Sequence, residues 1–238
     1  LPPGHQIATY VSGPGQLFPG VRDFRGSLQV FSDIGIPAVA LRSSSRTLTT
    51  LPAAAMNQSF DAATLYFSHV LMGTSVALYR STVVLTNPGF FPVNGTIRFF
   101  RSDGTPMVVH LGNQSDSVHP FAIGAQGSAF LESDPSQPYE QGYAIVEANH
   151  AVGGAVILSQ HDPTSGALLT EVAVTPSAPN RKFLVYVESG DEFNTGIALA
   201  NVQTTATNLE YVLHPNAAPG EPAHSGPVSF GAGRQSAA

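Results

Sequence analysis

The sequence holds no cysteine and no tryptophan, a single lysine (Lys182), and a charged fraction of 11%. Each shortage excludes something. Without cysteine there are no disulfides, no thiolate metal sites and no cysteine nucleophile. The charged fraction is less than half of the roughly one quarter usual in globular chains. Ten Lys+Arg against sixteen Asp+Glu leave a net charge of -6, with no basic stripe. Nucleic-acid or anionic-membrane binding through a polybasic patch is therefore not expected. No apolar run approaches the ~18 residues of a transmembrane helix; Ala151 to Leu158 is the best. Helical periodicity is missing too, since no long stretch combines i, i+3, i+4 apolar spacing with caps. The nearest is Ala53 to Phe67, and its Ala53-Ala54-Ala55 run reads as a linker.

What the 238 residues do contain is turn and strand chemistry. Twenty-three glycines and nineteen prolines punctuate short β-branched runs. Ser27–Phe31, Pro37–Leu41, Ser81–Leu85, Thr96–Phe100 and Met107–Leu111 read as strands, with a hairpin turn at Asp103-Gly104. Tyr143–Val146, Gly154–Leu158, Leu169–Val174, Phe183–Val187, Gly196–Ala200, Leu209–Leu213 and Val228–Phe230 follow. Short strands at regular spacing predict an all-β sandwich architecture.

The chain also repeats itself. Ser81-Thr82-Val83-Val84-Leu85-Thr86-Asn87 and Thr195-Gly196-Ile197-Ala198-Leu199-Ala200-Asn201 are both apolar strands ending on Asn, 114 residues apart. Gly95–Phe100 matches Ala206–Val212, and Leu65–Val70 resembles Phe183–Val187. At the other end, Gly26–Val30 followed by Ala38–Leu41 parallels Gly142–Val146 followed by Gly154–Leu158, with Gly26 and Gly142 offset by 116 positions. The order is half a unit, a whole unit, half a unit. It predicts two related immunoglobulin-like β-sandwich domains. One is intact over 60–178; the other is split between 1–55 and 181–238. Neither half can bury its apolar face alone, so completion is required within the chain or by a neighbouring subunit. A stretch cut from a longer tandem array remains the competing reading. Residues 1–8 resemble 230–237, so Leu1, Gly4, Ile7, Phe230, Gly233 and Ala237 mark candidate assembly strands for one position.

The chain carries the motifs Leu85-Thr86-Asn87-Pro88-Gly89, Phe99 to Gly104, Gly142-Tyr143-Ala144 and Asn194 to Asn201. This pattern resembles the tandem β-sandwich repeats of large secreted bacterial surface proteins, which are mostly uncharacterised. The resemblance implies an extracellular sandwich repeat and carries over no catalytic or ligand residue.

Assembled chemistry is not expected. His5, His69, His110, His119, His150, His161, His214 and His224 show no metal-ligand spacing. No Gly-x-Ser-x-Gly elbow marks an activated serine. Gly13-Pro14-Gly15 and Gly231-Ala232-Gly233 read as turns rather than phosphate loops. Glu132 with Asp134, and Asp191 with Glu192, read as loop acids; a calcium site at the latter pair is the functional alternative. No catalytic, cofactor or metal residue is nominated, and no cofactor. Asn57, Asn94 and Asn113 satisfy the N-glycosylation sequon. Ser43–Thr50 reads as an edge strand or an O-glycosylated stretch. The expected function is a non-enzymatic structural subunit of an extracellular filament, sheath or surface layer, its partners copies of itself head to tail. The alternative is a secreted carbohydrate-binding or adhesive module with Tyr66, Tyr79, Phe90 and Phe91 as an aromatic platform. Leu1 is not an initiator Met, so the chain reads as processed or a fragment. Low lysine and the resemblance point to an extracellular or cell-surface location.

Overall fold

β-Branched and aromatic residues favour extended backbone, and a strand closes its hydrogen bonds only against another strand. The computed structural model, which describes residues 5–44, 46–56, 63–192, 194–214, 224–230 and 235–237, is all-β and antiparallel, with no helix among those residues. The core strands are β3 (Ala63–Thr74), β4 (Leu78–Thr86), β5 (Val93–Arg101), β8 (Val118–Ile123), β9 (Ser128–Glu132), β10 (Glu140–Ala148), β11 (Gly153–His161) and β12 (Leu168–Val174). The short hairpin β6 (Val109–Leu111) and β7 (Gln114–Asp116) sits between β5 and β8.

Eight strands share one sheet, in the order β12-β11-β4-β3-β10-β5-β8, with β9 on the other side of β4. β3 does the joining. Over Ala63–Met72 it pairs with β10, and only at Gly73 and Thr74 does it pair with β4. The sheet thus curls into a half-barrel, a sandwich-like arrangement with one run of strands facing the other. At the corner Gly73 takes φ +92°, and a Cβ there would collide with the carbonyl of Pro138. Gly142, at the bulge of β10, lets the backbone approach the Phe100 carbonyl just as closely.

The pleat sends alternate residues inward, and they build the core. Phe67, Val70 and Met72 of β3 pack with Val83 and Leu85 of β4, Ile97 and Phe99 of β5, Val146 of β10 and Val156 of β11. Burying each such side chain stabilises by about 1.5–3 kcal/mol. The whole core cluster, with the side chains packed against it, lies between Ala63 and Val174.

The remaining described strands pair two by two. β1 (Ala40–Ser43) pairs with β2 (Leu48–Leu51), β13 (Ala198–Ala200) with β16 (Gln235–Ala237), and β14 (Thr207–Leu213) with β15 (His224–Phe230). β2 runs beside β12, and β13 beside β3. Arg42 of β1 pairs with Glu171 of β12 at 2.5 Å. Contacts divide the chain into two compact units, Leu1–Phe31 and Ser32–Ala238. The first is organised around a turn at Gly13 to Gln16, where Gln16 Oε1 accepts from the Tyr10 amide (2.9 Å) and the Thr9 hydroxyl (2.6 Å).

Two segments expected to be strands are not. Ser27–Phe31 and Phe183–Val187 have strand-like composition, yet no ladder includes them. Phe31, Leu184 and Tyr186 are exposed. Propensity makes a segment extended; only a partner makes it a strand.

Candidate functional site

The groups that could carry chemistry are mostly committed to holding turns. Asp103 Oδ1 accepts from the amide (2.9 Å) and hydroxyl (2.6 Å) of Thr105 and secures the hairpin turn where Gly104 takes φ +86°. Asp134 accepts from the Ser136 amide at 2.8 Å; Asp162 accepts from the amides of Thr164 (3.0 Å) and Ser165 (2.6 Å). Asp116 accepts from Ser117 and Val118. These hydrogen bonds favour the ionised form and hold all four carboxyls below their ordinary range, at Asp103 chiefly through the Thr105 hydroxyl. Glu132 faces Arg80 at 2.9 Å, so it does not stand with Asp134 as a catalytic pair.

The histidines are dispersed. His119 is fully buried, edge-on to Phe99 at 5.8 Å, with Nε2 2.8 Å from the Asp116 carbonyl. His161 joins Ser159 Oγ and the Gly166 carbonyl, both at 3.1 Å. Burial holds His69 below its ordinary value. Among the described residues no three His, Cys, Asp or Glu side chains gather as a metal site. Ser81 is buried as a brace between β3 and β4: its hydroxyl donates to the Leu71 carbonyl (2.7 Å) and accepts from the Leu71 amide (3.0 Å).

Tyr79 does not share a platform with Phe90 and Phe91. Tyr79 packs edge-on against Tyr139 at 5.3 Å at the start of β4. Phe90 and Phe91 are exposed in the loop beyond its end, about 25 Å along the strand. Asn94 is exposed in β5, and Asn113 in the turn between β6 and β7; Asn57 lies outside the described residues. So do Leu1, Gly4 and Gly233. Ile7 is exposed, Phe230 ends β15 opposite Thr207, and Ala237 ends β16 opposite Ala198.

A different feature unites distant parts of the chain. Val93 stands opposite Ile123 in the β5–β8 ladder, and Thr207 opposite Phe230 in the β14–β15 ladder. Val84 stands opposite Phe130 in β4–β9, and Ala198 opposite Ala237 in β13–β16. Advancing the first partner by 114 residues and the second by 107 turns each core ladder into its C-terminal counterpart. The difference of seven falls between the paired strands, where the core carries the β6–β7 hairpin. Asn87 and Asn201, at the ends of β4 and β13, occupy matching points and are both buried. Sequence comparison pairs these two residues without revealing their bonds. The signal was a strand that ends on the same polar residue twice at one spacing.

The side chains around them differ in burial. Large exposed apolar residues concentrate before residue 56 and after 181; Phe31, Ile34, Val39, Leu184, Tyr186 and Leu213 are examples. Comparison with known proteins finds no matching family, no similar characterised protein and no similar solved structure.

Proposed function

We propose that the chain is a non-enzymatic structural subunit of an extracellular filament, sheath or surface layer, built from two related immunoglobulin-like sandwiches and joined head to tail by β-strand complementation. One sandwich spans 60–178; the other is divided between 1–55 and 181–238. The observation that carries the reading is the large apolar surface exposed on the two outer segments. Groups such as Phe31 and Leu184 cost free energy in water, and so many large apolar side chains left exposed favour an interface. The matching ladder registers support a common ancestry for the two sandwiches. Low charge supports assembly as well, since few charged side chains need desolvating when copies pack.

The second reading, a carbohydrate-binding or adhesive module, draws on the exposed Phe90-Phe91 pair, whose loop is fixed by Asn87. Electron microscopy of the purified chain separates the two. Filaments or sheets with a regular repeat favour the structural subunit; dispersed single particles that bind a glycan array through Phe90 favour the module.

A further inference from the structure

Resting on the subunit reading, we infer that residues 26–41 of one copy complete the half-sandwich of β13 to β16 in a second copy, in the register that β10 and β11 keep in the core. The core supplies the template. There β10 pairs with β5 and β11 with β4. β14 and β13 match β5 and β4, and the segments 26–30 and 38–41 parallel 142–146 and 155–158 in sequence, at spacings of 116 and, one residue longer, 117. The core pair Ala144–Phe99 therefore translates to Leu28–Leu213, Val146–Ile97 to Val30–Tyr211, and Val156–Val83 to Val39–Ile197.

Burial marks both partners as unfinished. Phe99 is 1% exposed and its counterpart Leu213 is 48%; Val156 is 0% exposed and its counterpart Val39 is 64%. Leu28, Val30, Leu41 and Tyr211 are exposed as well, where the core positions Ala144, Val146, Leu158 and Ile97 are buried. Both sides thus carry apolar residues at inward-facing positions and lack the facing layer. Among the described residues no strand pairs with the second edge of β14, where Val212 stands: its counterpart Arg98 stands opposite Ile145 of β10, while the Phe99 amide turns the other way, to Ser117.

The occupant is a second copy because, within one chain, segment 38–41 runs into the β1–β2 hairpin along β12 while β13 lies along β3, and among the described residues no ladder joins β1 or β2 to β13 or β14. A partner strand added to the open edge of β14 gains main-chain hydrogen bonds and buries both apolar faces together. Such a contact is heterologous and propagates unless its rotation closes a ring.

Natural absence of cysteine makes cross-linking a clean test. Two single variants, Leu28→Cys and Leu213→Cys, are purified, mixed in equal amounts and oxidised. The core pair they imitate is a non-hydrogen-bonded one, whose Cβ atoms approach closely enough for a disulfide. The expected result is a disulfide-linked heterodimer in roughly tenfold excess over the yield from Gln29→Cys mixed with Leu213→Cys, because a one-residue slip turns the side chain to the other face. Equal yields from both mixtures, or no heterodimer, overturn the inference. So does a double variant Leu28→Cys/Leu213→Cys that closes only within single chains. Circular dichroism of each variant confirms that it folds. For a variant that does not, Val30→Cys mixed with Tyr211→Cys reads the same register. Filaments without this cross-link would leave the subunit reading standing and remove the inference; the cross-link without filaments would do the reverse.

Discussion

Asn87 and Asn201 make the same two hydrogen bonds. Asn87 Nδ2 donates to the Phe91 carbonyl at 2.7 Å, and its Oδ1 accepts from the Gly89 amide at 2.9 Å. Asn201 Nδ2 donates to the Thr205 carbonyl at 2.9 Å, and its Oδ1 accepts from the Gln203 amide at 3.1 Å. In each case the partners are the residues four and two positions on. Both side chains are buried at a strand end, where the chain must leave the sheet with its backbone groups satisfied.

Asn87→Ala is expected to be costly. Nδ2 also donates to the Gly124 carbonyl at 3.0 Å, so truncation strands several buried groups at once. The expected loss is about 2–4 kcal/mol, a fall of roughly 5–15 °C in Tm for a chain of this size. Asn201→Ala should cost less on dilute protein, because its surroundings are more exposed. Thermal denaturation of the two variants side by side checks the order.

Removing the Ser81 hydroxyl leaves the amide and carbonyl of Leu71 without this brace between β3 and β4. Ser81→Ala is expected to cost about 1–3 kcal/mol in denaturant unfolding. A loss near zero would mean that water or a shifted strand replaces it.

Core and edge positions that match in register should respond differently. Ile97→Ala empties a fully buried site in β5 and should cost about 2–5 kcal/mol. Tyr211→Ala, at the matching place in β14, should leave unfolding of dilute protein within about 0.5 kcal/mol of the parent while weakening assembly. Chemical denaturation and sedimentation velocity read the two effects separately.

Acid should destabilise the fold in a definite window. Asp103, Asp116, Asp134 and Asp162 titrate below their ordinary value when folded, Asp162 chiefly because of the Ser165 amide. Their contribution is complete above the unfolded value of about 3.9 and is lost as pH falls through the lower folded values. His69 acts in the same direction at higher pH, since burial disfavours its charged form and protonation below about 6.5 favours the unfolded chain. Tm should therefore slip between pH 7 and 5 and fall steeply below 4. Asp162→Asn should lower Tm at pH 6 and flatten the acid limb; an unchanged limb would remove Asp162 from the account.

Strands with a dense apolar pattern were legible in the sequence. Ser81–Leu85 falls inside β4, Gly154–Leu158 inside β11 and Leu169–Val174 inside β12. β8 was not, because Pro120 and the polar His119 interrupt its pattern; its burial nevertheless alternates, with His119, Phe121 and Ile123 inward. Ser27–Phe31 and Phe183–Val187 fail in the opposite sense, since a period of two specifies a face but not the strand that covers it. The turn at Asp103-Gly104 was readable from local chemistry alone. The matching bonds of Asn87 and Asn201 were not, because a hydrogen bond to a carbonyl four residues away depends on the path of the loop.

Hydrogen exchange of the Val212 and Glu210 amides, followed from dilute to concentrated protein, tests the claim of an unfinished half-sandwich most directly. The core counterparts of these residues, Arg98 and Thr96, stand opposite β10. If a second copy supplies the missing strand, both amides exchange freely in dilute solution and become protected as concentration rises, while the amides of β10 stay protected throughout. Protection at these two sites that is independent of concentration would contradict it.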